Sequence, residues 1–325
     1  MNKHFIQQIH IKNFKCFDDF KAKGFGRVNL IGGKNNVGKT VFMEACYVNV
    51  HAQDIYSFVS VLNGIKLRRE SLNLLFEPEG FKSGNKIQQF IEQSHNIYVA
   101  SNINAVSYKI KNKEGIKTYH FEFKSQNINV NVNAFSFERI HIPNIQFIDN
   151  FGQANFEMIS NYSAVQKLDK EDSLNIILNT FDPNIETFKI IDEKPQCKSN
   201  GQYREITEFG DGVRHLVSIV TSLYASEDGY LFIDEIDNGV HYSLLEELWT
   251  NILKLSKQLN VQIFATTHSK ECIESFNRAQ KVLKDKDSHY FEMARNIKTN
   301  QIFMRDLNDE QLQYELTHQG KYRGE

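Results

Sequence analysis

The stretch Gly33-Lys34-Asn35-Asn36-Val37-Gly38-Lys39-Thr40 leaves the rest of the chain little freedom. It satisfies G-x4-G-K-[ST], a spacing in which glycines let the backbone wrap so that successive N–H groups can hold phosphate oxygens. In such a loop Lys39 neutralises charge on the outer phosphates and the Thr40 hydroxyl ligates Mg2+. The motif needs a strand before it and a helix after it. Arg27-Val28-Asn29-Leu30-Ile31 reads as that strand, and Val41, Met43, Ala45, Cys46 and Val48 can supply the packed face of that helix. An α/β fold built around a phosphate loop is therefore expected.

Around this element the pattern changes several times. Phe5 to Ile11 and Phe14 to Phe20 read as short strands with a turn at Asn13. Residues 52–95 are mostly helical in pattern, with a break around Glu77-Pro78-Glu79-Gly80. From Asn96 to about Val132 polar and apolar residues alternate, which predicts a β-meander with a turn at Lys113-Glu114-Gly115. Residues 155–182 read as helical, and 185–206 as a strand pair around Lys194-Pro195 and Asn200-Gly201. Residues 289–325 suggest a hairpin and a short helix.

A second strong α/β pattern lies in the last third. A helix from about Val213 to Ala225 precedes the apolar strand Tyr230-Leu231-Phe232-Ile233, which ends in Asp234-Glu235. A helix over about 242–258 precedes Val261-Gln262-Ile263-Phe264-Ala265-Thr266, which ends in Thr267-His268-Ser269. Buried strands with polar ends place those ends at the carboxyl edge of a parallel sheet, where ligands bind. There Asp234 can hold the metal and Glu235 can polarise an attacking water.

The order of these motifs resembles the ABC-type ATPase heads of the SMC, RecF and OLD (overcoming lysogenisation defect) group. It runs from the phosphate loop through Gly210-Asp211-Gly212-Val213-Arg214, Leu231 to Glu235 and Asp237-Asn238-Gly239-Val240-His241 to Thr266-Thr267-His268-Ser269. Ile11-Lys12-Asn13-Phe14-Lys15 is similar to that group's first-strand element, and the nearest likeness is to stand-alone OLD-like AAA ATPases. The resemblance implies a bilobal, mixed-sheet head with a helical and β-meander insertion. One discontinuous head would span 1–325, with its nucleotide-binding core in 1–50 and 205–276, the insertion and signature lobe in 52–205, and a C-terminal hairpin and helix in 277–325.

The resemblance also assigns roles. Two protomers would close head to head on two ATP molecules with Mg2+, in a dimer or a higher oligomer. Gly33 to Thr40 with Val41 would bind the nucleotide, Lys39, Glu235 and His268 would be catalytic, and Thr40 and Asp234 would hold the metal. Gly210, Asp211 and Gly212 would offer backbone N–H groups at a helix N-terminus to the γ-phosphate on the other protomer. His268 would touch that phosphate within its own protomer, and the loop from Asp237 would communicate across the dimer. Lys15 either reaches the phosphates or is a solvated lysine, and His241 either serves the site or only begins a helix.

Three departures from the group's pattern stand out. Gly210 takes the place of the usual signature serine, and none of Gln88, Gln89 and Gln93 is fixed by motif context as the Q-loop glutamine. The stretch after His268 is too short for the Toprim domain of OLD-type nucleases. That absence implies a separately encoded effector, such as a Toprim-type nuclease, controlled by this chain in a bacterial anti-phage or toxin-like system. Rival readings are a RecF-like repair ATPase that binds DNA directly and a nucleotide-gated scaffold with little turnover.

Composition bears on these rivals. With 38 basic and 40 acidic side chains the formal charge is −2, which argues against coating nucleic acid by bulk charge and leaves only a local basic groove. Lys66, Arg68 and Arg69 form the best basic cluster, whereas Lys281-Val282-Leu283-Lys284-Asp285-Lys286-Asp287 mixes both signs and reads as solvated surface. Cys16, Cys46, Cys197 and Cys272 form no CxxC or zinc spacing and are expected to be reduced thiols. No run approaches the roughly 18 apolar residues of a membrane span, so a cytoplasmic protein without membrane contact is expected.

Overall fold

The computed structural model describes residues 4–76, 96–113, 116–131, 140, 142–150 and 152–317. In chain order the strands are β1 (Gln8–Phe14), β2 (Phe17–Lys23), β3 (Val28–Gly32), β4 (Ile97–Ser101), β5 (Ala105–Lys113), β6 (Ile116–Phe123), β7 (Gln126–Asn131), β8 (Ile145–Ile148), β9 (Thr187–Ile191), β10 (Lys194–Ser199), β11 (Gln202–Glu205), β12 (Tyr230–Ile233), β13 (Gln262–Thr266), β14 (Ser288–Arg295) and β15 (Ile302–Leu307). The helices are α1 (Lys39–His51), α2 (Ile55–Phe76), α3 (Asn155–Lys167), α4 (Glu171–Phe181), α5 (Asp211–Ala225), α6 (Leu245–Gln258), α7 (Lys270–Leu283) and α8 (Asp309–Thr317). The chain divides into two compact units. One comprises Met1–Gly24, Thr40–Ile142 and Gln301–Phe303, and the other Phe25–Lys39, Pro143–Asn300 and Met304–Glu325.

The first unit is built on a sheet of order β2-β1-β4-β5-β6-β7 with antiparallel pairing throughout. The expected meander is β4 to β7, and β1 extends it by pairing with β4. Alternation puts Ile9, Ile11, Val99, Val106, Tyr108 and Phe121 on one buried face, while Lys12, Lys21 and Glu122 take the other. Phe58 of α2 meets the Phe121 ring edge-on at 5.6 Å, and Phe42 of α1 meets Phe20 at 5.9 Å. Asn49 ties the end of α1 to the β4–β5 turn, donating to the carbonyls of Val99 and Asn104.

The second unit holds a sheet of order β15-β14-β3-β13-β12-β8, in which β14, β3, β13, β12 and β8 run parallel. These strands are buried on both faces and read as near-continuous apolar runs, as parallel strands must. Phe147, Phe232 and Phe264 stack as a row across β8, β12 and β13, with centroids 6.1 and 5.6 Å apart. On α6, Trp249 is fully buried and meets Phe276 of α7 edge-on at 4.8 Å. A separate three-stranded sheet, β11-β10-β9, lies in the same unit.

Several expectations change. Residues 185–206 form three strands rather than two, because left-handed Asp192 and Glu193 make a turn of their own before the one at Asn200-Gly201. The strand β8 and the helix α7 add to the expected elements. The run from Lys281 to Asp287 is not all solvated surface: the partly buried Asp285 pairs with the guanidinium of buried Arg27, which also donates to Leu253 O at 3.1 Å and to Ser256 Oγ. The break at 77–80, the residues Gln88, Gln89 and Gln93, and the side chains of Lys66, Arg68 and Arg69 lie outside the described residues.

Candidate functional site

The second unit's sheet brings the ends of three parallel strands together. At the end of β3, Gly33 has φ +137°, and a Cβ there would stand 2.2 Å from Met293 O, so only glycine fits. Asn36 and Gly38 are also left-handed, at φ +61° and +98°. These reversals curl the loop so that Lys39, buried, donates from Nζ to its own Gly33 O at 2.8 Å and Lys34 O at 2.9 Å. Burial lowers the Lys39 pKa, and the carboxylates of Glu235, Asp234 and Asp237 oppose that shift. The loop's cation and three acidic groups thus act on one another within one unit.

The strand β12 delivers the acids. Asp234 N donates to Ile148 O at 2.8 Å, the last bond of that ladder, and the buried Asp234 carboxylate accepts from Thr266 Oγ1 at 2.6 Å. Glu235 then leaves the strand at φ +52°, an uncommon conformation for a side chain with a Cβ. Its N–H donates to Thr266 Oγ1 at 2.9 Å, and Asp237 accepts from Thr267 Oγ1 at 2.6 Å.

The strand β13 delivers His268. Thr267 N donates to Ile31 O at 3.1 Å, which ties this strand end to β3. His268 Nδ1 lies 3.4 Å from Glu235 Oε1, with both side chains partly exposed. Ser269 caps α7 by accepting from Cys272 N at 3.1 Å.

Gly210 to Gly212, the expected signature segment, lies beside the loop from Asp237. Gly210 precedes α5 with φ +84° and ψ 167°, and no side chain caps the helix. Gly212 packs so closely that a Cβ would stand 2.3 Å from Gly239 O. Asn238 donates through its side chain to Asn150 O, and Arg214 donates to Gln153 O at 2.8 Å.

The assigned residues therefore fall into two groups. Gly33 to Lys39, Gly210, Asp211, Gly212, Asp234, Glu235, Asp237 and His268 belong to the second unit. Thr40, Val41 and Lys15 belong to the first, where the Lys15 ammonium pairs with Glu44 at 2.5 Å. His241 Nδ1 pairs with Ser243 Oγ at 2.8 Å at the start of a short 3-10 turn. Sequence reasoning gives Thr266 and Thr267 no role of their own; two hydroxyls ending an apolar strand beside an Asp-Glu strand end are the available signal. It also passes over His215 of α5, which is buried and bonds the Ile236 backbone while its Nε2 has no hydrogen-bond partner.

The donor set suits a nucleotide with a divalent cation. The loop turns at Gly33, where a Cβ would strike Met293 O, one ammonium stands in the curl, and hard carboxylate oxygens fit Mg2+. Among the described residues no group of three or more His, Cys, Asp or Glu side chains forms a metal cluster without such a ligand. No helix among them is long and apolar enough to cross a membrane.

Comparison with known proteins adds three kinds of likeness. Residues 177–274 match the family described as "AAA domain, putative AbiEii toxin, Type IV TA system". The chain is 27% identical over 342 aligned positions to an ATP/GTP phosphatase of Helicobacter pylori, covering 87% of this chain and 89% of that one. A solved SMC head bound to the C-winged helix domain of ScpA superposes with a TM-score of 0.53 at 10% identity, over 94% of this chain and 99% of that chain. An SMC head domain from Thermotoga maritima gives a TM-score of 0.45 at 13% identity, over 93% and 99%. The superposition shows the fold of an SMC-type ATPase head, and the family match over 177–274 together with the ATP/GTP phosphatase relative supports ATP hydrolysis.

Proposed function

We propose that this ATPase is a nucleotide-dependent dimeric switch, cytoplasmic, and the regulatory subunit of an anti-phage or toxin-like system acting on a separately encoded effector such as a Toprim-type nuclease. The observation that carries the ATPase reading is the convergence of Lys39, Asp234, Glu235 and Asp237 in one unit, with His268 beside Glu235. Gly33 to Lys39 would wrap the phosphates, and Asp234, with Thr40 by its place in the loop motif, would hold Mg2+. When bound, Mg2+ would neutralise charge on the phosphates.

Glu235 would take the proton of the attacking water and His268 would sense the outer phosphate. Gly210 to Gly212, packed on the Asp237 loop, would present backbone N–H groups to the partner protomer's nucleotide, so ATP binding would close the dimer and hydrolysis would reopen it. The curated relative's name, ATP/GTP phosphatase, supports a nucleoside triphosphate substrate, and the matched family's description supports the toxin-like setting.

Calorimetry with ATP and Mg2+ tests the loop: wild type should bind and Lys39→Ala should not. Equal affinity in the two would remove the phosphate-loop assignment. Phosphate release tests the chemistry, since equal and near-zero rates for wild type and Glu235→Gln would leave only a nucleotide-gated scaffold.

A further inference from the structure

The turn that carries the two strand-end carboxylates is held by a side chain from the neighbouring strand. The ladder of β12 ends when Asp234 N donates to Ile148 O, and the left-handed Glu235 that follows turns its N–H away from that ladder. A buried N–H without an acceptor is costly. Thr266 Oγ1 accepts it at 2.9 Å and donates its own hydrogen to Asp234 Oδ1 at 2.6 Å. Since an N–H can only donate and an ionised carboxylate can only accept, the hydroxyl can serve both at once. Thr266 is completely buried, so water does not replace it.

We propose that Thr266 is a positioning residue for hydrolysis: its hydroxyl fixes the direction of the Asp234 carboxylate and, through the backbone, the place of the Glu235 side chain. The proposal rests on the reading of Asp234 and Glu235 as the metal-holding and water-polarising acids. Thr267 acts on a different group, Asp237, and so serves as an internal contrast one residue away.

Thr266→Val keeps the shape of the side chain and removes the hydroxyl, while Thr266→Ser keeps the hydroxyl and removes a methyl. Two readouts separate this proposal from the reading beneath it. The first is amide hydrogen exchange of Glu235 in nucleotide-free protein, which needs no catalysis: Thr266→Val should exchange about tenfold faster there, while Thr266→Ser and Thr267→Val stay protected. The second is steady-state ATP hydrolysis, where Thr266→Val should lose about 10- to 100-fold in kcat with ATP affinity retained, and Thr266→Ser should recover most of the loss.

A Thr266→Val protein with wild-type kcat or wild-type Glu235 exchange overturns the proposal. So does a Thr266→Ser protein as impaired as Thr266→Val, because the methyl group's packing would then be the cause. A wild-type protein that does not hydrolyse ATP removes the reading of the acids instead, and the exchange experiment still decides whether Thr266 orders the turn.

Discussion

His268 Nδ1 stands 3.4 Å from Glu235 Oε1, enclosed and without a hydrogen bond. The two side chains end different strands, β13 and β12, and Thr266 bonds to both Asp234 and Glu235 across that gap. A phosphate that engages His268 would compete for the same imidazole that faces Glu235.

Glu235→Gln keeps the size and much of the hydrogen bonding of the side chain but removes the proton acceptor. Hydrolysis should fall by about 100- to 10,000-fold, the range of a lost general base. ATP binding should survive, so the closed state accumulates and light scattering should show a larger dimer fraction with ATP than wild type gives. A variant that stays monomeric in every nucleotide state would defeat the sandwich mechanism.

Gly210→Ser introduces the serine that the resembled group carries at the position Gly210 would take. Nothing lies within 4 Å of a Cβ built there, so the change meets no clash. The obstacle is the backbone, since φ +84° with ψ 167° belongs to a region that is essentially glycine's own. The serine should cost about 1–3 kcal/mol of stability and should not raise turnover. A variant with unchanged thermal midpoint and faster phosphate release would show that the segment rearranges freely.

What is legible in the sequence follows from where the information sits. The strands β3, β12 and β13 are local apolar runs with polar ends, so the loop, Asp234, Glu235 and His268 stand out in the sequence itself. The strand β8 is four residues long, has Gln146 inside it, and exists through parallel pairing with β12, a contact that no local pattern encodes. Asp285 hides in a mixed-charge run because its partner Arg27 is remote in sequence. Thr266 looks like one more β-branched strand residue, and only the register shows which acid its hydroxyl meets. The start of α7 is readable in principle, because Ser269 occupies the cap position.

Arg27→Met tests the largely buried ion pair with Asp285. Removing the guanidinium leaves Asp285 without its cation and Leu253 O without one donor, inside the second unit. Breaking one side of a buried pair costs about 3–5 kcal/mol. The urea midpoint should drop accordingly, and Arg27→Met with Asp285→Leu should recover part of the loss, as coupled sites do. A loss within the scatter of surface substitutions, about 0.5 kcal/mol, would mean that the pair contributes little.

Alkaline pH should unfold the protein through its buried acids. Burial raises the Cys197 thiol from 9.0 to about 12 and the Tyr230 phenol from 10.0 to about 12, and raises the fully buried Cys46 and Cys272 thiols as well. In the unfolded chain thiols ionise near pH 8.5. Between that pH and the folded values the native state holds protons that the unfolded state has released, so stability is full below the unfolded pKa and is lost as pH rises. Lys39 works the other way between its lowered folded pKa and its unfolded one, but it is one group against three thiols. The thermal midpoint should therefore fall steadily from pH 8 to pH 10, and Cys272→Ala should flatten that slope even if it lowers the midpoint at neutral pH. At pH 8 a thiol reagent should modify only the exposed Cys16 in the folded protein and all four cysteines in denaturant. A midpoint constant to pH 10, or rapid modification of Cys46 in the folded state, would contradict the burial assigned to these thiols.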